Sequence, residues 1–171
     1  SLADGATLCA AALAEDRGVP VSWFMISVAV AAVIIRTAGF RTMDNIPRIL
    51  LAAPAAGLMG VSLLCLSFSS SWISFVIFGL AFGFGIGAGF PTDLSIIGDL
   101  LSIEYHPKAT GSLLLAIDLG WVVTPLVFGF ISPLLGASGA FRLIGILVLA
   151  GSSAMQYFCW MPLRRSLKEQ A

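Results

Sequence analysis

Hydropathy alternates along this chain on the scale of a bilayer. Apolar stretches cover residues 20–39, 49–68, 72–98, 110–131 and 141–161, with short polar connectors between them. A helix needs about 20 largely apolar residues to cross a hydrocarbon core roughly 30 Å thick. Backbone inside lipid must satisfy its own hydrogen bonds, so each stretch reads as a spanning α-helix. The fold class that follows is all-α, a polytopic transmembrane helical bundle filling a single domain over residues 1–171. Composition agrees: hydrophobic residues make up 58% and charged residues 11%, against about 25% charged in a typical soluble domain. With a mean hydropathy of +1.01, a water-soluble fold would leave too much apolar surface exposed.

Basic residues fall on alternate connectors. Arg36, Arg41, Arg48, Lys108, Arg164, Arg165 and Lys168 share one side, and of the 9 Lys and Arg only Arg17 and Arg142 fall on the other. The positive-inside rule makes the richer side cytoplasmic. The expected location is therefore the cell membrane, with the C-terminus in the cytoplasm. A net charge of zero offers nothing to a nucleic-acid partner. Cys9, Cys65 and Cys159 lie in apolar runs with no metal-ligand spacing, and His106 has no second ligand in view, so no metal is expected.

Residues 1–14 look like a helix without its first half, because at 1.5 Å per residue they cover only about 21 Å. The chain is expected to be the C-terminal part of something longer, cut inside a helix. Asp4 then sits about 16 Å below the outer surface, where a transporter holds its substrate. A chain truly starting at Ser1 would make Asp4 a solvated terminal acid instead.

The span from Trp72 is the most unusual, reading FGLAFGFGIGAGFPTDLSIIGDL from Phe78. Its glycines, Gly85 and Gly89 among them, form small-xxx-small pairs that let helix backbones approach closely in lipid. Pro91 is expected to kink or unwind the helix, with Asp93 just beyond. A glycine-rich, proline-broken helix bearing a carboxylate suits a moving wall of a cavity; tight static packing is the plainer reading. The segment Gly83–Ala88 also fits a loose dinucleotide-binding pattern, but inside an apolar run of membrane length the match is accidental.

Asp118 lies about 12 Å below the cytoplasmic boundary on the next span. A charge at such depth costs roughly 2.5–3.5 kcal/mol on insertion scales and usually faces a bundle interior or a wet cavity. Such a carboxylate can exchange a proton during a transport cycle, or be pinned by a hydrogen bond or an arginine. Trp121, on the same helix, is too deep for an interfacial anchor and can line the cavity; Trp23, Trp72, Tyr157 and Trp160 include such anchors. Asp99 and Glu104 fall at or beyond a helix end and are expected to be solvated.

Four segments together resemble the C-terminal half of the Major Facilitator Superfamily. ALAEDRGVPVSW is similar to the connection between its seventh and eighth helices, and RTAGFRTMDNIPRIL to its basic loop between the eighth and ninth. GFGIGAGFPTDL resembles the tenth helix, and HPKATGSLLLAIDLGWVVTPLVFGFISPLLG the eleventh with the loop before it, including an Asp-Leu-Gly of efflux-type members. The basic loop departs from the family's Gly-x-x-x-Asp-Arg-x-Gly-Arg-Arg: aligned on Asp44, Phe40, Asn45 and Pro47 replace a glycine, an arginine and a glycine. Arg36, Arg41, Asp44 and Arg48 remain, so a cytoplasmic latch would be weaker or rest on Arg41 and Arg48.

The resemblance implies a six-helix half, its first helix truncated, that rocks against an N-terminal six-helix half around a midplane site. Asp4 to Thr7 and Gly85 to Asp93, with Pro91 between, would face the cavity, flanked by Asp118 and Trp121. The expected activity is proton-coupled efflux of a small organic solute, with Asp118 or Asp4 loading the proton. The expected partners are that solute, the lipid bilayer and the N-terminal half; no cofactor beyond the proton gradient, and no enzymatic activity, is expected. A non-transporting remnant or scaffold is the alternative. An intramembrane aspartyl peptidase using Asp93 and Asp118 is a third, lacking the usual Gly-x-Gly-Asp context.

Overall fold

A computed structural model describes residues 2–38 and 48–162. Among them the backbone is helical apart from short connectors. Helix α1 covers Leu2–Asp16, α2 Ser22–Ala38, α3 Ile49–Phe68 and α4 Trp72–Leu100. After a 3-10 turn at Ile103–Tyr105, helical structure runs from His106 to Met155 with one interruption at Gly136. The two arms are α5 (residues 106–135) and α6 (residues 137–155), and α6 continues into a π-helical turn at Gln156–Trp160. Leu51–Phe68, Trp72–Leu100 and Ile103–Trp160 are long and apolar enough to cross a membrane by length and composition. Helix α2, at 17 residues, sits at the lower bound for a span, about 17.

The connections are tight for local reasons. Helix α1 stops where Gly18 takes φ 63°, a left-handed conformation open to glycine at little cost. There Val19 N–H donates to Ala14 O at 3.0 Å, and Pro20 follows. Ser71 caps α4 by accepting from Ile73 N–H. The connection expected over residues 132–140 is replaced by one residue: Gly136, at φ 71° and ψ 167°, turns the chain where a side chain would be strained. Phe128 and Phe141 then meet edge-to-face at 5.6 Å, closing α5 and α6 into a hairpin.

Pro91 does not unwind its helix. Helix α4 runs through it without interruption, and Thr92 Oγ donates to Ala88 O at 2.7 Å, beside the Gly87 carbonyl that the proline leaves without its N–H partner. Other polar residues within the spans behave alike: Ser27, Ser62, Ser67 and Ser152 each donate to a carbonyl three or four residues back.

The glycines of α4 divide between two seams. A methyl at Gly79 would lie 2.9 Å from Phe24 O, and one at Gly83 would lie 2.8 Å from Ala31 Cβ, so this face carries α2. A methyl at Gly85 would lie 2.8 Å from Ala55 O, on the face carrying α3. Helix α3 closes on α6 through Gly60 and Gly145, where added methyls would meet Leu149 Cγ at 2.8 Å and Leu64 Cγ at 2.7 Å. Helix α1 crosses α5 at Gly5, where a methyl would lie 2.6 Å from Thr124 Cβ. Without a hydrophobic drive in lipid, such backbone approach supplies the packing.

Candidate functional site

Two carboxylates inside the bundle lie close enough for their charges to interact, Asp4 of α1 and Asp93 of α4. Thr7 Oγ, buried one turn along α1, donates to Asp4 O at 2.7 Å. Next to Asp4, Gly5 rests on Gly120 O and Thr124, which sets Asp4 at the level of α5 residues 120–124. Thr124 is fully buried. Its hydroxyl is part of this polar layer, and sequence reading missed it because a lone threonine in an apolar span carries no distinguishing signal.

The remaining candidates fall in different surroundings. Gly85 is buried at the α3 seam, and Gly89 is half-buried with Ala55 Cβ 3.8 Å from where its methyl would be. Pro91 is half-buried on α4. Asp118 and Trp121 sit on an exposed face of α5, away from Gly120 and Thr124. The structure therefore puts Asp4 and Asp93 within range of each other's charge, with Thr7 bonded to the Asp4 backbone, and leaves Asp118 on a surface. For the two-carboxylate peptidase reading, the acid whose charge Asp93 meets is Asp4.

The ends of the bundle hold the other charges. At one end Arg48, at the start of α3, pairs with Asp99, near the end of α4: Nη1 is 2.9 Å from Oδ1 and 3.0 Å from Oδ2. Sequence reading treated Asp99 as solvated; its partner could have been sought, since both residues fall on the same side of the membrane. Arg36 is exposed at the end of α2, while Arg41 and Asp44 lie outside the described residues.

At the opposite end Arg17 ties three connections. Its Nη1 donates to Ser70 Oγ at 2.7 Å, and its Nη2 donates to Ser67 O at 3.2 Å and Ser138 Oγ at 2.8 Å. The α1–α2, α3–α4 and α5–α6 connections are thereby joined through one guanidinium. Arg142 lies 4.1 Å above the Phe68 ring. Among the described residues, no group of histidines, cysteines and carboxylates could hold a metal ion.

Spans of bilayer length, self-satisfied polar residues and carboxylates held within the bundle define an integral membrane protein of the polytopic helical class. The sequence pattern of the Major Facilitator Superfamily matches residues 5–171. The chain belongs to that superfamily, whose members are transporters rather than enzymes. No curated protein and no solved structure matches the chain.

Proposed function

We propose that the chain is the C-terminal six-helix half of a secondary transporter, and that the whole protein exports a small organic solute from the cell in exchange for protons. The observation that carries this reading is that Asp4 and Asp93, two acids within the spans of a transporter-family chain, lie within range of each other's charge. Repulsion between two carboxylates in a poorly screened setting is relieved when a proton or a cationic group of a solute binds. A site that accepts either one, but not both, couples the two movements. The glycine seams of α4, which bring its backbone close to α2 and α3, support its role as a wall of the cavity.

Asp118 supports the half-molecule reading. A carboxylate at bilayer depth is costly against lipid, yet Asp118 lies exposed beside Trp121. A second helical half covering that face would shelter both residues. In this arrangement the Arg48 end is cytoplasmic, the C-terminus lies in the cytoplasm of the cell, and the Arg48–Asp99 pair, with Arg36, Arg41 and Asp44, favours the inward-closed state.

The test uses the full-length protein in liposomes with an imposed pH gradient. Asp93→Asn and Asp4→Asn are each expected to abolish pH-driven accumulation while leaving solute exchange without a gradient measurable. Asp118→Asn is expected to weaken coupling less. Unchanged pH-driven transport in both the Asp4 and the Asp93 variants would sink the proposal.

A further inference from the structure

At the Arg17 end a cleft of about 430 Å3 opens between the first turns of α2 and α4. Arg17, Trp23, Ser70, Ser71 and Trp72 line it, together with residues 18–20. We propose that this cleft binds the phosphate of a phospholipid headgroup from the adjoining leaflet.

Charge is the first argument. A guanidinium carries five N–H donors, and Arg17 uses three contacts on neutral acceptors, two serine hydroxyls and a carbonyl. Among the described residues no carboxylate lies within ion-pair distance of it. Glu15 and Asp16, its neighbours in sequence, are exposed and absent from the lining. The cleft thus holds a half-buried positive charge with donors to spare and, among the described residues, no acid in ion-pair contact with it. Arginine's planar fork suits phosphate oxygens better than a point charge does, and the Ser70 and Ser71 hydroxyls add polar contacts beside it.

Position is the second argument. Trp23 and Trp72 face each other with ring centroids 5.5 Å apart, each about half exposed. Both lie in the first turn of a spanning helix, at the depth where indoles settle among headgroups. Leading away from the cleft into the bilayer, α2 exposes Ile26, Val30 and Val33, and α4 exposes Ile73 and Ile77. These two apolar tracks begin where a bound phosphate would sit, which fits a headgroup with two acyl chains better than a free anion.

The test is lipid retention by the full-length protein, measured by native mass spectrometry from detergent. The probes are dioleoyl phosphatidylglycerol and dioleoylglycerol, which lacks the phosphate. The wild type is expected to retain one phosphatidylglycerol at least tenfold more strongly than dioleoylglycerol. Ser71→Asp keeps the helix cap, since aspartate caps as well as serine, but puts a negative charge in the lining; it is expected to weaken retention about tenfold. Arg17→Gln should do the same. Because removing Arg17 also loosens three connections, Ser71→Asp with an unchanged unfolding temperature is the deciding variant. Equal retention of the two lipids, or full retention by Ser71→Asp, would overturn the proposal. Displacement of the lipid by inorganic phosphate at equal concentration would overturn the headgroup assignment in favour of a free anion.

Discussion

The two ends of the bundle are built from different materials. At the Arg17 end the fully buried side chains include large ones, Leu13, Phe24, Leu66, Phe75 and Phe141, with Leu63 and Phe82 a little deeper, beside small Ala14, Ser67 and Ala140. One arginine ties three connections there through neutral partners. Toward the Arg48 end the buried side chains among the described residues are mostly small, including Ala52, Ala53, Ala55 and Thr92, with Ile96 the bulkiest of them. Among the described residues that end is joined by one ion pair, whose side chains are 40% and 55% exposed. Large interlocked side chains and a multivalent hydrogen-bonded clamp resist separation. Small side chains and a solvent-screened ion pair let helices part at modest cost. The contrast predicts that helices separate more readily at the Arg48 end than at the Arg17 end.

The comparison can be broken in order of expected effect. Gly83→Ala should be the most damaging, because its methyl would meet Ala31 Cβ at 2.8 Å and the Val28 carbonyl, and backbone cannot yield. A loss of about 1–3 kcal/mol is expected, read as a lower unfolding temperature in detergent. Gly98→Ala, toward the Arg48 end, meets nothing within 4 Å and should be neutral or gain up to about 1 kcal/mol. Equal losses at the two positions would contradict the division.

Arg17→Ala comes next, with an expected loss of about 2 kcal/mol for hydrogen bonds to a charged group and faster hydrogen exchange at all three joined connections. Exchange raised only in the α1–α2 connection would mean that the clamp is not shared. For Arg48 and Asp99, a double-mutant cycle of alanine substitutions should give a coupling below about 1 kcal/mol that shrinks as salt is raised. A coupling above about 2 kcal/mol, insensitive to salt, would erase the contrast between the ends. The smallest effect belongs to Arg142→Gln, expected to cost about 0.5–1 kcal/mol through its lost contact with Phe68.

Much of the bundle was legible because it depends on single segments. The stretches read at 49–68 and 72–98 correspond to helices Ile49–Phe68 and Trp72–Leu100, since the length of an apolar run is a property of that run alone. The break after α5 was read too long, because no composition rule distinguishes a nine-residue connector from one glycine at φ 71°. The glycines of α4 were recognised as packing positions, but not that Gly79 and Gly83 serve α2 while Gly85 serves α3. The site was less legible. Asp4, Asp93 and Asp118 were all singled out as acids within spans, yet the proximity of Asp4 and Asp93 depends on how α1 and α4 are rotated about their axes. Each residue turns a helix by about 100°, so the facing partner is set by packing and not by spacing.

By itself the sequence determined that this chain is a membrane-spanning helical protein, and it pointed to the superfamily. Those properties follow from the cost of exposing polar backbone or charge to hydrocarbon, which each segment bears separately. Tertiary structure alone decided that Arg17 joins three connections, that Arg48 meets Asp99, and that Asp93 comes within range of the charge of Asp4 while Asp118 lies on a surface. Those pairings depend on helix rotation and crossing, and they are fixed only when glycine seams bring the backbones together.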